Sequence, residues 1–120
     1  MKLPFYLAPI KAAIFPIVKD EKMIRLVREI YSSLREYWNV VYDESGSIGR
    51  RYSRQDETGA PFCITIDDDS FKDKSVTVRD RDTTKQIRVK IDDLRETIGK
   101  LINLESDFVK AGKVVETRVK

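Results

Sequence analysis

Ala12 to Val18 (AAIFPIV) is apolar at every position. A strand with one wet face alternates apolar and polar residues. A run without alternation reads as a strand buried on both faces, as in a parallel sheet. Pro16 has no backbone donor, so it should mark an edge, a bulge or the strand's end. Asp20 then offers a side-chain oxygen to the orphan amides of a helix start. Apolar residues recur at helical spacing after it, at Met23, Val27, Ile30, Leu34 and Trp38, with Ile24 and Tyr31 beside them. That helix should end near Tyr37 to Asn39, and Val40-Val41-Tyr42 follows as a second short strand. A strand, a helix and a strand in this order imply parallel strands joined by a right-handed crossover.

The remainder adds one more such unit and then changes character. Gly46 to Phe62 (GSIGRRYSRQDETGAPF) reads as a second helix closed by Gly59 and Pro61. Phe62 to Ile66 (FCITI) reads as a third strand, and Asp67 to Lys74 as a polar connection. Ser75 to Asp82 alternates, with Val76, Val78 and Asp80 on one side and Thr77, Arg79 and Arg81 on the other. Lys85 to Ile91 alternates too, with Ile87, Val89 and Ile91 against Gln86, Arg88 and Lys90. Residues 81–84 between them form a plausible hairpin turn. Asp92 is expected to cap a last helix whose buried stripe is Leu94, Ile98, Leu101 and Ile102. After Leu104 the periodicity weakens, and Val114 to Val119 reads either as a stray strand or as an ordered tail. The expected fold class is α/β: a mixed sheet of five strands flanked by three helices.

Charge and residue usage narrow the chemistry. With 120 residues the chain is long enough for one domain and one core. A net charge of +3 is compatible with a nucleic-acid partner without requiring one. The single cysteine, Cys63, lies in an apolar run and reads as a buried small side chain, since alone it makes no internal disulfide. Histidine is absent, which removes the commonest general base and zinc ligand. No apolar run approaches the ~20 residues of a membrane span, and no signal peptide is evident, so a reducing cytoplasmic setting is expected and no membrane partner.

Two charged blocks break local rules. In GSIGRRYSRQDETG, Gly46 and Gly49 would let amides at a helix start approach an anion. Arg50 and Arg54 lie one turn apart on one face, where like charges repel by a few tenths of a kcal/mol. Arg51 adds to the crowding, and Asp56 and Glu57 sit near the negative end of the helix dipole. Such violations cluster at functional sites. They are equally read as a solvated face whose arginines pair with the acids. In TVRDRDT, Arg79 and Arg81 two apart on a strand make a flat surface of planar donors suited to base edges or phosphates. Cross-strand pairing with acids is the competing reading. Asp67, Asp68 and Asp69, with Asp73 nearby, lack the glycine and distal glutamate of a calcium loop and read as a polar turn without metal. Phe15, Tyr42, Tyr52 and Phe62 have the π-faces to stack on bases, though core packing accounts for most of them. No nucleophile–histidine set and no phosphate loop ending in GK[ST] is present, so no catalytic residue and no metal ligand is expected.

The stretches LAPIKAAIFPIVKD (Leu7 to Asp20), VVYDESGSIGRRYSRQDETGAPFCITID (Val40 to Asp67) and SVTVRDRDTTKQIRVKIDDL (Ser75 to Leu94) together resemble the C-terminal anticodon-binding domain of glycyl-tRNA synthetase, of the archaeal and eukaryotic kind. The resemblance runs over about residues 3 to 104, which sets an expected domain at 1–104 and an unassigned extension at 105–120. It implies a mixed five-stranded sheet with three helices, and a role in holding the anticodon stem-loop of glycine tRNA against one edge of that sheet. The RNA contacts it implies are Pro16 to Lys19 (Pro16 and Lys19 above all), Arg50, Arg51, Arg54, Gln55, Asp56, Glu57, Arg79 and Arg81. Asp56 and Glu57 gain a purpose there, since carboxylates accept from cytosine amines and glycine anticodons share cytosines. The resemblance further implies a catalytic domain of the same ligase as partner, ATP and Mg as that enzyme's cofactors with none in this chain, and a homodimeric full-length protein. Nothing here resembles the class II catalytic core, so the chain is expected to be an excised domain or a free-standing relative. Two alternatives stand beside this one: a protein-interaction or accessory module of the same fold without anticodon recognition, and a small phosphate-handling enzyme built on the GSIGRR helix start.

Overall fold

A computed structural model describes residues 10–44, 59–81, 85–102 and 113–115. β1 (Ala12–Pro16) is buried at every position. It stops at the proline for a reason visible in its hydrogen bonds. The Ile17 amide donates to the Ile66 carbonyl at 2.8 Å, and the Asp43 amide donates to the Ile14 carbonyl at 3.0 Å. Alternation therefore turns the Pro16 nitrogen toward β2 (Val40–Tyr42), and with no N–H to give, pairing between β1 and β2 ends at Ile14 and Tyr42.

α1 (Glu21–Leu34) joins these two parallel strands. Asp20 caps it as expected, its carboxylate accepting from the amides of Lys22 at 2.8 Å and Met23 at 3.3 Å. Its buried stripe is Met23, Val27, Ile30 and Leu34. β3 (Phe62–Ile66) runs parallel to β1 on the other side, with Ala12 opposite Phe62 and Pro16 opposite Ile66. β4 (Ser75–Asp80) and β5 (Gln86–Lys90) add antiparallel neighbours. β6 (Lys113–Val115), inside the segment left unassigned on sequence, pairs with β5. The five expected strands thus carry a short sixth at one margin, in the order β2-β1-β3-β4-β5-β6.

Several sequence expectations need correcting in detail. α1 ends at Leu34, short of the expected Tyr37 to Asn39, and residues 35–37 leave it as a turn. The connection after β3 contains a single helical turn, α2 (Asp69–Lys72), too short to show a periodic pattern. It is followed by Lys74 in the left-handed region at φ 55°, a frequent way to leave a helix. Asp92 does not cap the last helix. It lies inside a 3-10 turn (Ile91–Asp93) that leads into α3 (Leu94–Ile102), and no side chain caps that turn. β4 ends at Asp80, two residues short of the expected Asp82, whereas the expected helix over 46–58 and the turn at 82–84 lie outside the described residues.

The core is split by the sheet. On the face under α1 and α3, Ala12, Ile14, Phe62, Ile64, Ile66, Val76, Val78, Ile87 and Val89 pack with the two helical stripes. On the opposite face Ala13, Phe15, Ala60 and Cys63 form a second, smaller cluster. Alternation along each strand produces this division without further instruction. Among the described residues, no helix is long and apolar enough to cross a membrane.

Candidate nucleic-acid interface

Cross-strand register fixes where the two arginines of β4 stand. Arg79 lies between Cys63 of β3 and Gln86 of β5, half-buried, on the face opposite α1 and α3. Arg81 lies just past the strand end. Its amide donates to the Pro61 carbonyl at 2.9 Å, and its guanidinium Nη1 donates to the Gly59 carbonyl at 2.5 Å. Gly59 closes the first charged block and Arg81 belongs to the second, so the fold brings the ends of both blocks into contact. Gly59 holds φ +67°, and the nearest atom to a Cβ built there is Arg81 Nη1 at 4.0 Å. Space is available, so the constraint is the backbone conformation itself. Gly59→Ala is expected to cost about 1–2 kcal/mol. Gly99 is the contrasting case: a Cβ there would meet Trp38 at an ordinary 3.5 Å, inside α3. Gly99→Ala is expected to stabilise by about 0.5–1 kcal/mol through helix propensity. Denaturant midpoints of the two variants should therefore move in opposite directions.

Pro16 and Lys19 stand elsewhere. They sit at and beyond the carboxyl end of β1, whereas Arg79 is level with Ala13 near the amino end. Three residues of strand separate the two levels, about 10 Å, and β3 intervenes between β1 and β4. Alternation also sends Pro16 toward the α1 side, opposite to Arg79. None of these strands is at the margin of the sheet. The expectation of one edge gathering all the contacts is therefore not met by the described residues: Arg79 and Arg81 form one group, Pro16 and Lys19 another. Arg50, Arg51, Arg54, Gln55, Asp56 and Glu57 lie outside the described residues.

The carboxyl end of the sheet carries a cation that sequence reading passed over. Arg88 of β5 grips Asp67 with both terminal nitrogens, Nη2 to Oδ1 at 2.6 Å and Nη1 to Oδ2 at 2.9 Å. Its Nε donates to Ser75 Oγ at 2.6 Å. The Asp67 side chain also accepts from the Ser70 amide at 3.2 Å. Burial alone would push the Asp67 carboxyl up. The hydrogen bonds and charge of Arg88, joined by Ser70, outweigh burial and hold it below the usual carboxylate range. The same bond raises Arg88 against the opposing effect of burial. The first aspartate of the DDD run is thus an ion-pair partner. Among the described residues no three of His, Cys, Asp and Glu lie together as metal ligands.

Exposed cations line α1 at that same end. Arg28 donates through Nε to Glu44 at 2.7 Å, and Arg25 pairs with Glu21 at 3.1 Å. The bond to Glu44 raises the Arg28 pKa. The pattern of α1 announces its buried stripe and not these two exposed arginines. Their signal in the sequence is the i, i+3 spacing on the exposed face. The aromatic candidates resolve toward packing: Phe15 and Phe62 are at most 1% exposed, and Tyr42 lies against Tyr31 with ring centroids 4.6 Å apart. Tyr52 is outside the described residues.

The described sheet is mixed and ordered 2-1-3-4-5-6, with a parallel strand on either side of β1 and an arginine-bearing β4. Residues 11–101 match the anticodon binding domain family, and the chain belongs to that family. It is 61% identical over 94 residues to a glycine–tRNA ligase of Rhodopirellula baltica, covering 78% of this chain and 18% of the ligase. It is 53% identical over 95 residues to the glycine–tRNA ligase of Corynebacterium glutamicum, covering 79% of this chain and 21% of the ligase. The chain thus spans about a fifth of the length of these relatives. In three dimensions it is similar to the RNA binding domain of threonyl-tRNA synthetase from Cryptosporidium parvum Iowa II, with a TM-score of 0.72 and 26% identity, over 82% of this chain and 25% of that one.

Proposed function

We propose that this chain is the anticodon-binding portion of a glycine–tRNA ligase of the type named from archaea and eukaryotes, and that it holds the anticodon stem-loop of glycine tRNA. The observation that carries the ligase reading is the 61% identity over 94 residues to a glycine–tRNA ligase; the type rests on the resemblance of the three quoted sequence stretches. The geometry supports it at one point, the bond from Arg81 to Gly59, the residue that closes the first charged block. Unpaired RNA is read by planar or aromatic groups and by edge-specific hydrogen bonds, which those blocks supply in quantity. The partner is a catalytic portion of the same protein, which works in the cytoplasm as a homodimer. ATP and Mg act in that catalytic portion. The described residues offer no ligand set for a metal, and no step runs through either group here.

The test is a binding series with glycine tRNA, the same tRNA altered at its anticodon cytosines, and an unrelated tRNA, at two salt concentrations. The altered tRNA is expected to bind at least tenfold more weakly, in line with about 1–3 kcal/mol per misread base. Arg79→Ala or Arg81→Ala should remove about 1–3 kcal/mol of that preference. Equal binding of all three tRNAs with a steep salt dependence would reject anticodon reading and leave only charge attraction.

A further inference from the structure

We propose that Lys19, Arg25 and Arg28 form a second contact for tRNA, one that holds backbone phosphates and carries no sequence information. The inference rests on the tRNA-binding reading above and adds two residues that the resemblance does not supply. A cleft of about 450 Å³ at the carboxyl end of β1 and β2 is lined by Lys19, Glu21, Ile24, Arg25, Arg28 and Glu44. Five of these six side chains are ionisable, so the cleft suits a charged ligand.

The cations are presented in a line. Lys19 is exposed in the turn before α1, and Arg25 and Arg28 follow on the helix's outer face. Residues three apart on a helix have Cβ atoms about 5–6 Å apart, and like charges at that distance repel mildly unless something neutralises them. Glu21 and Glu44 do so in the free chain, through single contacts of 3.1 Å and 2.7 Å. The side chains of Arg25 and Arg28 remain 67% and 62% exposed. Ion pairs that exposed hold their partners weakly, so exchange of a carboxylate for a phosphate oxygen meets little resistance. Asp20 already occupies the Lys22 and Met23 amides, so the site rests on the three side chains and not on the helix start. Lys19 belongs to the group at the carboxyl end of β1, on the side of the sheet away from Arg79. A stem-loop gripped at Arg79 and Arg81 and at this cleft would be held at two separated points, one reading bases and one fixing the backbone.

Filter binding of the 120-residue chain over a salt series decides the matter. Arg25→Gln with Arg28→Gln is expected to weaken glycine tRNA and the cytosine-altered tRNA alike, about tenfold at low salt. The slope of log affinity against log salt should become shallower by about one to two. The ratio between the two tRNAs should stay as in the parent. Lys72→Gln with Lys90→Gln removes the same charge from other exposed positions and should cost far less. Unchanged binding by the arginine variant, or an equal loss in the lysine variant, overturns the proposal. Equal binding of both tRNAs by the parent would sink anticodon reading, while the arginine variant would still judge the phosphate contact.

Discussion

Asp67→Ala is expected to destabilise the chain by about 3 kcal/mol, the low end for stranding one member of a buried ion pair. The low end applies because Arg88 and Asp67 keep 15% and 20% side-chain exposure. Once Asp67 is gone, Arg88 keeps only weaker carboxylate neighbours, Asp73 at 3.9 Å and itself 58% exposed, and Asp69. Arg88→Ala should cost a similar amount. The double variant should cost little more than either single one, because each single change already leaves the partner stranded. Urea midpoints of the three variants test this, and additive losses would show that the two side chains act separately. The pair also sets an acid limit. Asp67 is held below its ordinary range, so it stays ionised in the folded chain where the unfolded chain would take up a proton. Its contribution is therefore complete above the unfolded carboxyl pKa of about 3.9. It disappears as the pH falls past that value and through the folded one. Asp67→Asn should melt well below the parent at pH 6, with the gap closing toward pH 3.

Phe15→Ala is the other large effect, about 3–5 kcal/mol. Phe15 is 1% exposed and packs with Ala13, Ala60 and Cys63 on the face away from α1 and α3. Phe15→Leu, which keeps most of the volume, should cost under about 1.5 kcal/mol. A ring held for stacking on bases would behave otherwise: its removal would weaken RNA binding and leave the melting temperature nearly where it was. Calorimetry on the two variants separates a core role from a ligand role at this position.

What could be read from the sequence was whatever is local. AAIFPIV, the 3–4 spacing from Met23 to Leu34 and the alternation in β4 and β5 each carry their structure within a few residues, and each formed an element of the expected type, one to a few residues shorter than expected at its ends. The Asp20 cap is likewise a contact over two and three residues. Pro16 ended its pairing because of one missing donor, a property of the residue alone. The Arg88–Asp67 pair is different in kind, because it joins residues 21 apart through the register of β3, β4 and β5. Nothing in the string IDDD says which aspartate meets a cation. The division of the candidate site has the same origin. Pro16 and Arg79 look equally available in sequence, and only strand direction puts them at opposite ends and on opposite faces. The Arg81–Gly59 contact spans 22 positions and is likewise beyond reach from spacing, although each residue has a legible role on its own.

The two outermost strands of the described sheet, β2 and β6, are three residues each. An outer strand shows unsatisfied amides and carbonyls to the solvent, and a long flat one invites a neighbouring molecule to zip on. Here a would-be intruder finds a three-residue ladder at either flank, while the apolar strands β1 and β3 are shielded in the interior. The described sheet is thereby guarded at both flanks against edge-to-edge pairing with copies of itself.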